Sequence, residues 1–105
     1  MENFFTNKTN QKLFVAIANL LRDYQKRYIE LDHLVILLEA AKDNLIEPNS
    51  SWLKQFNEYW EILEITNAMS LSEDEENPGG KMKYLKENQD DTDQTISHYL
   101  CFIES

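Results

Sequence analysis

The feature that most constrains this chain is the spacing of its apolar residues, which recur at steps of three and four rather than two. From about Lys8 to Arg27, Leu13, Ile17, Leu20, Leu21, Tyr24 and Tyr28 follow that step, with Lys12, Arg22, Asp23 and Lys26 left for the opposite face. This is the period of an amphipathic α-helix. No segment alternates convincingly with period two. Breakers are scarce: the 105 residues include only two Gly and two Pro, too few for an all-β or loop-rich protein.

A second helical segment is predicted from about Leu31 to Asn44, with Leu34, Leu37, Leu38 and Ala41 as its stripe. Between the two, Tyr28 to Asp32 carries no strong breaker. A short turn is nevertheless expected there, because one helix of nearly 40 residues would be unusual in so small a domain. Pro48 ends the second helix, and Asn49-Ser50-Ser51 supplies side-chain oxygens to cap a third. That helix is predicted from Trp52 to about Ser70, its core stripe Trp52, Phe56, Tyr59, Trp60 and Leu63 extended by Ile62, Ile65 and Met69. Asn77-Pro78-Gly79-Gly80 is the clearest break in the chain. Met82 to Glu87 forms at most a short helical turn before an acidic connection. A last helix from about Thr92 to Ile103, capped by Asp91 or Thr92, turns Ile96, Tyr99, Leu100 and Ile103 inward. The expectation is an all-α fold, a compact bundle of about four main helices, with residues 1–105 as one domain. A chain of this length buries roughly 65% of the surface its unfolded form exposes.

Charge is the second constraint. Nineteen acidic residues against ten basic ones leave a net charge of −9 and a pI near 4.6. That balance argues against nucleic-acid phosphates and anionic membranes as partners, since both require clustered Lys and Arg. The charge is also lopsided. Residues 1–51 carry a net of −1, and residues 52–105 a net of −8. Glu73-Asp74-Glu75-Glu76 and the group Asp90, Asp91 and Asp93 dominate the second half. Solubility alone would not require one half to be nearly neutral, so the asymmetry speaks about partners rather than fold.

Catalytic chemistry finds little support. His33, His98 and Cys101 are too scattered for a zinc site. Asp90-Asp91-Thr92-Asp93 lacks the glycine and the terminal glutamate of a calcium loop. Cys101 stands three residues from His98, but between Leu100 and Phe102 it is expected to be a small buried hydrophobe rather than a nucleophile. Gly79-Gly80 is not a phosphate-binding loop. No cofactor and no enzymatic activity are expected. The N-terminus lacks the pattern of a signal peptide, and the longest apolar run, Leu34 to Leu38, is far too short to span a membrane. The lone cysteine leaves no intramolecular disulfide, so a cytoplasmic location is expected, and the sequons at Asn7 and Asn49 are read as chance matches.

The aromatic group Trp52, Phe56, Tyr59 and Trp60 falls mostly on one helical face and reads as core, with Tyr59 or another ring as a candidate surface anchor. The acidic runs read either as solvated loops or as a recognition surface that would steer a basic protein into contact.

The stretch Ser51-Trp52-Leu53-Lys54-Gln55-Phe56-Asn57-Glu58-Tyr59-Trp60-Glu61-Ile62-Leu63-Glu64-Ile65, followed by Ser72-Glu73-Asp74-Glu75-Glu76, resembles a type of small acidic helical bacterial protein. In that type, two helices precede a Trp- and Phe-rich third one with an acidic loop behind it. The chain is similar in size, charge and helical make-up to immunity proteins that neutralise nuclease toxins, including those of contact-dependent growth inhibition and colicin systems. The resemblance covers roughly residues 10–77. It implies one-to-one binding to a basic toxin domain by occlusion of its active site or substrate groove, with a free monomer in the toxin's absence. Glu73, Asp74, Glu75, Glu76, Asp90, Asp91 and Asp93 are the expected electrostatic surface, and Glu58, Glu61, Glu64 and Tyr59 a second set. Two rival readings remain open: a nucleic-acid mimic that blocks a DNA- or RNA-binding host protein, and an adaptor that dimerises through its aromatic face.

Overall fold

The computed structural model describes residues 3–105 and contains five helices, with no strand among the described residues. Helix α1 spans Lys8–Gln25 and starts at Asn7, whose side chain accepts the Asn10 amide at 3.0 Å. An Asn here satisfies one of the four amide groups a helix start leaves unpaired. The helix stops two residues short of the boundary its spacing predicts. Tyr28 N–H donates to Asp23 O, and Arg27 N–H to Tyr24 O, with Arg27 at φ 63. This is a Schellman ending with an arginine where glycine is usual. The guanidinium explains the choice, for it donates to the Tyr24 carbonyl and to both Asp93 carboxylate oxygens at 3.0 Å, and lies over the Tyr24 ring. The separation of α1 from α2 is thus built without a Gly or Pro.

Helix α2, Leu31–Asp43, is followed by a loop to Asn49, whose side chain caps α3 by accepting the Trp52 amide at 3.0 Å. Helix α3 runs Ser50–Glu76, 27 residues and about 40 Å long. It continues six residues past its predicted end and takes the expected acidic loop into its last turns. Leu71, Glu73, Glu75 and Glu76 are good helix formers, and nothing before Pro78 prevents propagation. Gly79 at φ 82 turns the chain, and Gly80 opens α4, Gly80–Glu87. A methyl group on Gly80 would collide with the Glu73 carbonyl oxygen, so the start of α4 lies directly on the α3 backbone. Asn88 alone separates α4 from α5, Gln89–Glu104. Its amide side chain bonds back to Tyr84 O rather than forward into α5. The last helix therefore starts ahead of Asp91 and Thr92, the residues expected to cap it, and Thr92 is buried with its hydroxyl on Asn88 O.

Helices α4 and α5 return antiparallel along α3. Near the start of α3, Trp52 meets Phe102, and Phe56 and Tyr59 meet Tyr99. At its far end, Glu73 faces Gly80 and Tyr84 across a cleft. The core lies where α1, α2, α5 and the first half of α3 converge, on Ile17, Leu21, Leu34, Leu38, Phe56, Leu63, Ile96 and Tyr99. Buried Asn10 pins the N-terminal segment and the α2–α3 loop to this core: its side-chain amide donates to Phe4 O and Ile46 O, and its carbonyl accepts from Ile46 N–H. Beyond that core, α3 and α4 form a two-helix arm, and α4 buries no side chain fully. The molecule is accordingly a rod of 55 × 21 × 18 Å with a radius of gyration of 14.8 Å, against about 13 Å for a compact domain of this length.

Several residues assigned to the core stripe are on the surface. Tyr28 and Leu37 are exposed, as are Ile62, Ile65 and Met69 on α3. Tyr28 follows the Schellman turn and has left the helical face that its spacing implied. No helix among the described residues is long and apolar enough to cross a membrane.

Candidate interaction surface

The charge of the second half resolves into three helices of different sign. Helix α3 carries seven carboxylates against Lys54, a net of −6, while α4 is +2 and α5 is −4. The α5 charge is partly neutralised inside the molecule. Asp93 pairs with Arg27 and also accepts from the Gln89 side chain at 2.9 Å, and Glu104 pairs with Arg22. Arg22 ties α5 to α1 and Arg27 ties it to the turn that ends α1, so Asp93 is held by an arginine, unlike Asp90 and Asp91. Those two remain exposed in the first turn of α5, where the positive end of the helix dipole favours a carboxylate. Among the described residues, no carboxylate of α3 joins an ion pair.

Glu73, Asp74, Glu75 and Glu76 occupy the last turns of α3, the negative end of its dipole, with no base in that turn. Asp74 leans toward α4, where the Lys81 backbone N–H points at its Oδ1 at 3.4 Å. Glu73, Lys83, Tyr84 and Glu87 line the polar cleft of about 580 Å³ between the end of α3 and α4. Lys81, Lys83 and Lys86 follow the acidic run in sequence, yet none comes within ion-pair distance of it. The four carboxylates also point in different directions. Glu76 lies on the outer side of α3, Glu73 is half-buried toward the cleft with α4, and Asp74 lies on the side that meets the start of α4.

The second set of residues divides as well. Glu58 and Glu61 are exposed and share one face with Lys54. Glu64 is half-buried and sits about 60° round the helix from Glu61, on the side away from Ile62. Tyr59 stacks on Tyr99 with ring centroids 5.1 Å apart and lies 5.8 Å from Phe102. Trp60 donates its indole N–H to Val35 O at 2.9 Å. The aromatic group is therefore interior structure, and Tyr59 is held by its neighbours rather than offered to a partner.

The surface has a feature that apolar spacing obscured. Ile62, Ile65 and Met69 are 50%, 60% and 46% exposed and share with Glu58, Glu61 and Glu76 an arc of about 100° on the outer face of α3. Asp91 borders this strip from α5, beside Ile62 and Thr66. A signal was present, because Ile65 stands about 160° from Leu63 at 100° per residue, too far to share its core face. Elsewhere, His33 and His98 are exposed, and so is Cys101, against the burial expected from its apolar neighbours. Cys101 sits on the side of α5 away from Tyr99 and Ile103, the residues that turn inward. Among the described residues no group of three or more His, Cys, Asp or Glu is arranged to hold a metal ion. Among the described residues, the one strongly shifted titratable group is Tyr99, whose phenol is pushed far above its ordinary range by burial.

Compared with known proteins, this chain matches no family model, no curated protein and no solved structure.

Proposed function

We propose that this protein is an immunity protein: a cytoplasmic, non-enzymatic monomer that binds the basic domain of a bacterial toxin, a nuclease in the simplest case, and covers its active site or substrate groove. The observation that carries the reading is the concentration of unpaired charge on one helix. Helix α3 holds a net of −6, and none of its carboxylates is neutralised by a cation among the described residues. Repulsion along such a helix opposes folding, and a basic partner would relieve it while gaining a steered approach. Glu75, Glu76, Asp90 and Asp91 supply the outer charge, with Glu73 at the cleft beside α4 and Glu58 and Glu61 nearer the middle of the rod. The rival reading of nucleic-acid mimicry asks for carboxylates in unbroken series. Here the interval on that face from Glu61 to Glu76, about 22 Å of helix, presents Ile62, Ile65 and Met69.

The test starts from the open reading frames adjoining this gene: a basic domain encoded there is co-expressed and then purified with the full chain. Reversing Glu73, Asp74, Glu75 and Glu76 to Lys should slow association and flatten its dependence on salt, because outer charges act mainly on the rate of encounter. Unchanged affinity at both low and high salt removes the cluster from the interface. A toxin that remains active and unbound in the presence of wild-type protein removes the proposal.

A further inference from the structure

We infer that the outer face of α3 is a docking face for one amphipathic helix of the partner, apolar in its middle two turns and basic at both ends. The inference rests on the immunity reading for the partner's sign of charge, and goes beyond it in naming the element that binds and the residues that anchor it. Ile62, Ile65 and Met69 follow the i, i+3, i+7 pattern of a helical ridge and are left open by every other helix. An apolar ridge with that period accepts a second helix laid along it. The strip covers about 10 Å of axis, the rise of two turns. Glu58 and Glu61 close one end, Glu76 closes the other, and Asp91 stands at the flank. From Glu58 to Glu76 the face extends about 27 Å, the length of an 18-residue helix.

The distribution of charge selects the occupant. If a second copy of this chain lay on the strip, an antiparallel arrangement would set Glu58 and Glu61 against Glu76, and a parallel one would set each carboxylate against its twin. Either arrangement opposes like charges at both ends. A helix with Lys or Arg in its first and last turns instead meets carboxylates at both ends, and its apolar middle covers Ile62, Ile65 and Met69. In this division of labour the carboxylates govern approach, and the three apolar side chains govern residence time.

The experiment titrates isotopically labelled full-length protein with a synthetic 18-residue peptide, acetylated and amidated. The peptide carries four leucines at i, i+3, i+4 and i+7 in its centre, Lys and Arg in its terminal turns, and Ala elsewhere. The expected result is saturable chemical-shift change at Ile62, Ile65, Met69 and Asp91. Replacing the leucines with serines, at unchanged charge, should weaken binding at least tenfold. So should the double variant Ile65→Ser, Met69→Ser, which alters only exposed positions and should retain its circular dichroism spectrum. Equal binding of the serine peptide, or shifts centred on the exposed Ile36 and Leu37 of α2, overturns the inference. So does a dimer of the free protein that Ile65→Ser dissolves. A toxin complex that loses affinity on reversal of Glu73 to Glu76, but survives the double variant, overturns this inference while leaving the immunity reading intact. A toxin complex that resists both sets of substitutions overturns this inference and removes the acidic cluster from the interface, whereas a toxin left active and unbound by the wild-type protein overturns the immunity reading itself.

Discussion

Replacing Tyr99 by Phe should stabilise this protein, against the usual outcome for a change in the core. Tyr99 has no exposed surface, and its ring is wedged edge-on against Phe56 and stacked on Tyr59. Its hydroxyl, however, has no hydrogen-bond partner among the described residues. A hydroxyl buried without a partner costs about 1–3 kcal/mol relative to water. A phenylalanine in its place would keep both ring contacts and remove a single oxygen, so the expected gain is of that size. For a domain of about 100 residues this corresponds to a melting temperature higher by about 4 °C for each kcal/mol. The pH dependence gives an independent check. Burial holds the folded-state pKa of Tyr99 far above the ordinary value of 10.0, so above pH 10 the unfolded chain loses this proton and the folded one keeps it. The neutral phenol's contribution is complete below pH 10 and declines above it, with a limiting slope of about 1.4 kcal/mol per pH unit. The advantage of Tyr99→Phe should therefore widen by about 1 kcal/mol between pH 10 and pH 11. Urea unfolding of both proteins, followed by circular dichroism at pH 7, 10 and 11, measures the two effects together. Groups common to both proteins cancel in the difference. A variant less stable than the parent at pH 7, or an advantage that fails to grow above pH 10, would refute the reasoning.

Three further substitutions probe how the rod is held together. Asn10→Ala removes the partner of the Phe4 and Ile46 carbonyls and of the Ile46 amide; a loss of about 3 kcal/mol is expected in urea unfolding, with faster hydrogen exchange in the α2–α3 loop. Gly80→Ala drives a methyl into the Glu73 carbonyl oxygen, whereas Gly79→Ala meets open space. The first should push α4 off α3 and raise amide exchange throughout Gly80–Glu87. The second should cost only the backbone strain of a positive φ, about 1–2 kcal/mol, and leave the α4 amides protected.

The helical period and the scarcity of Gly and Pro are sufficient to specify an all-α fold and to locate four of its helices. Asn7 and Asn49 start helices as side-chain caps do, and Pro78-Gly79 ends one, because these effects act over a single turn of chain. The end of α3 lies beyond its predicted position for a related reason. Acidity at the C-terminal end of a helix opposes the dipole only weakly, while Glu and Leu favour propagation, so the breaker at Pro78 decides the boundary.

Exposure is not legible in the same way. Ile65 and Leu63 have the same chemistry and stand two residues apart, yet one is open and the other fully buried. Sequence period divides a helix into faces, but which face is covered depends on where its neighbours lie. Helix α3 is longer than the core, and α4 and α5 return along one side of it only. The charges follow the same rule. Net acidity and its bias toward residues 52–105 are determined by the sequence, since they are sums over residues. Whether a given carboxylate is open, as Glu76 is, or clamped to an arginine 66 positions away, as Asp93 is, is decided by the tertiary structure, because an ion pair needs proximity in space and the chain order of Arg27 and Asp93 carries none.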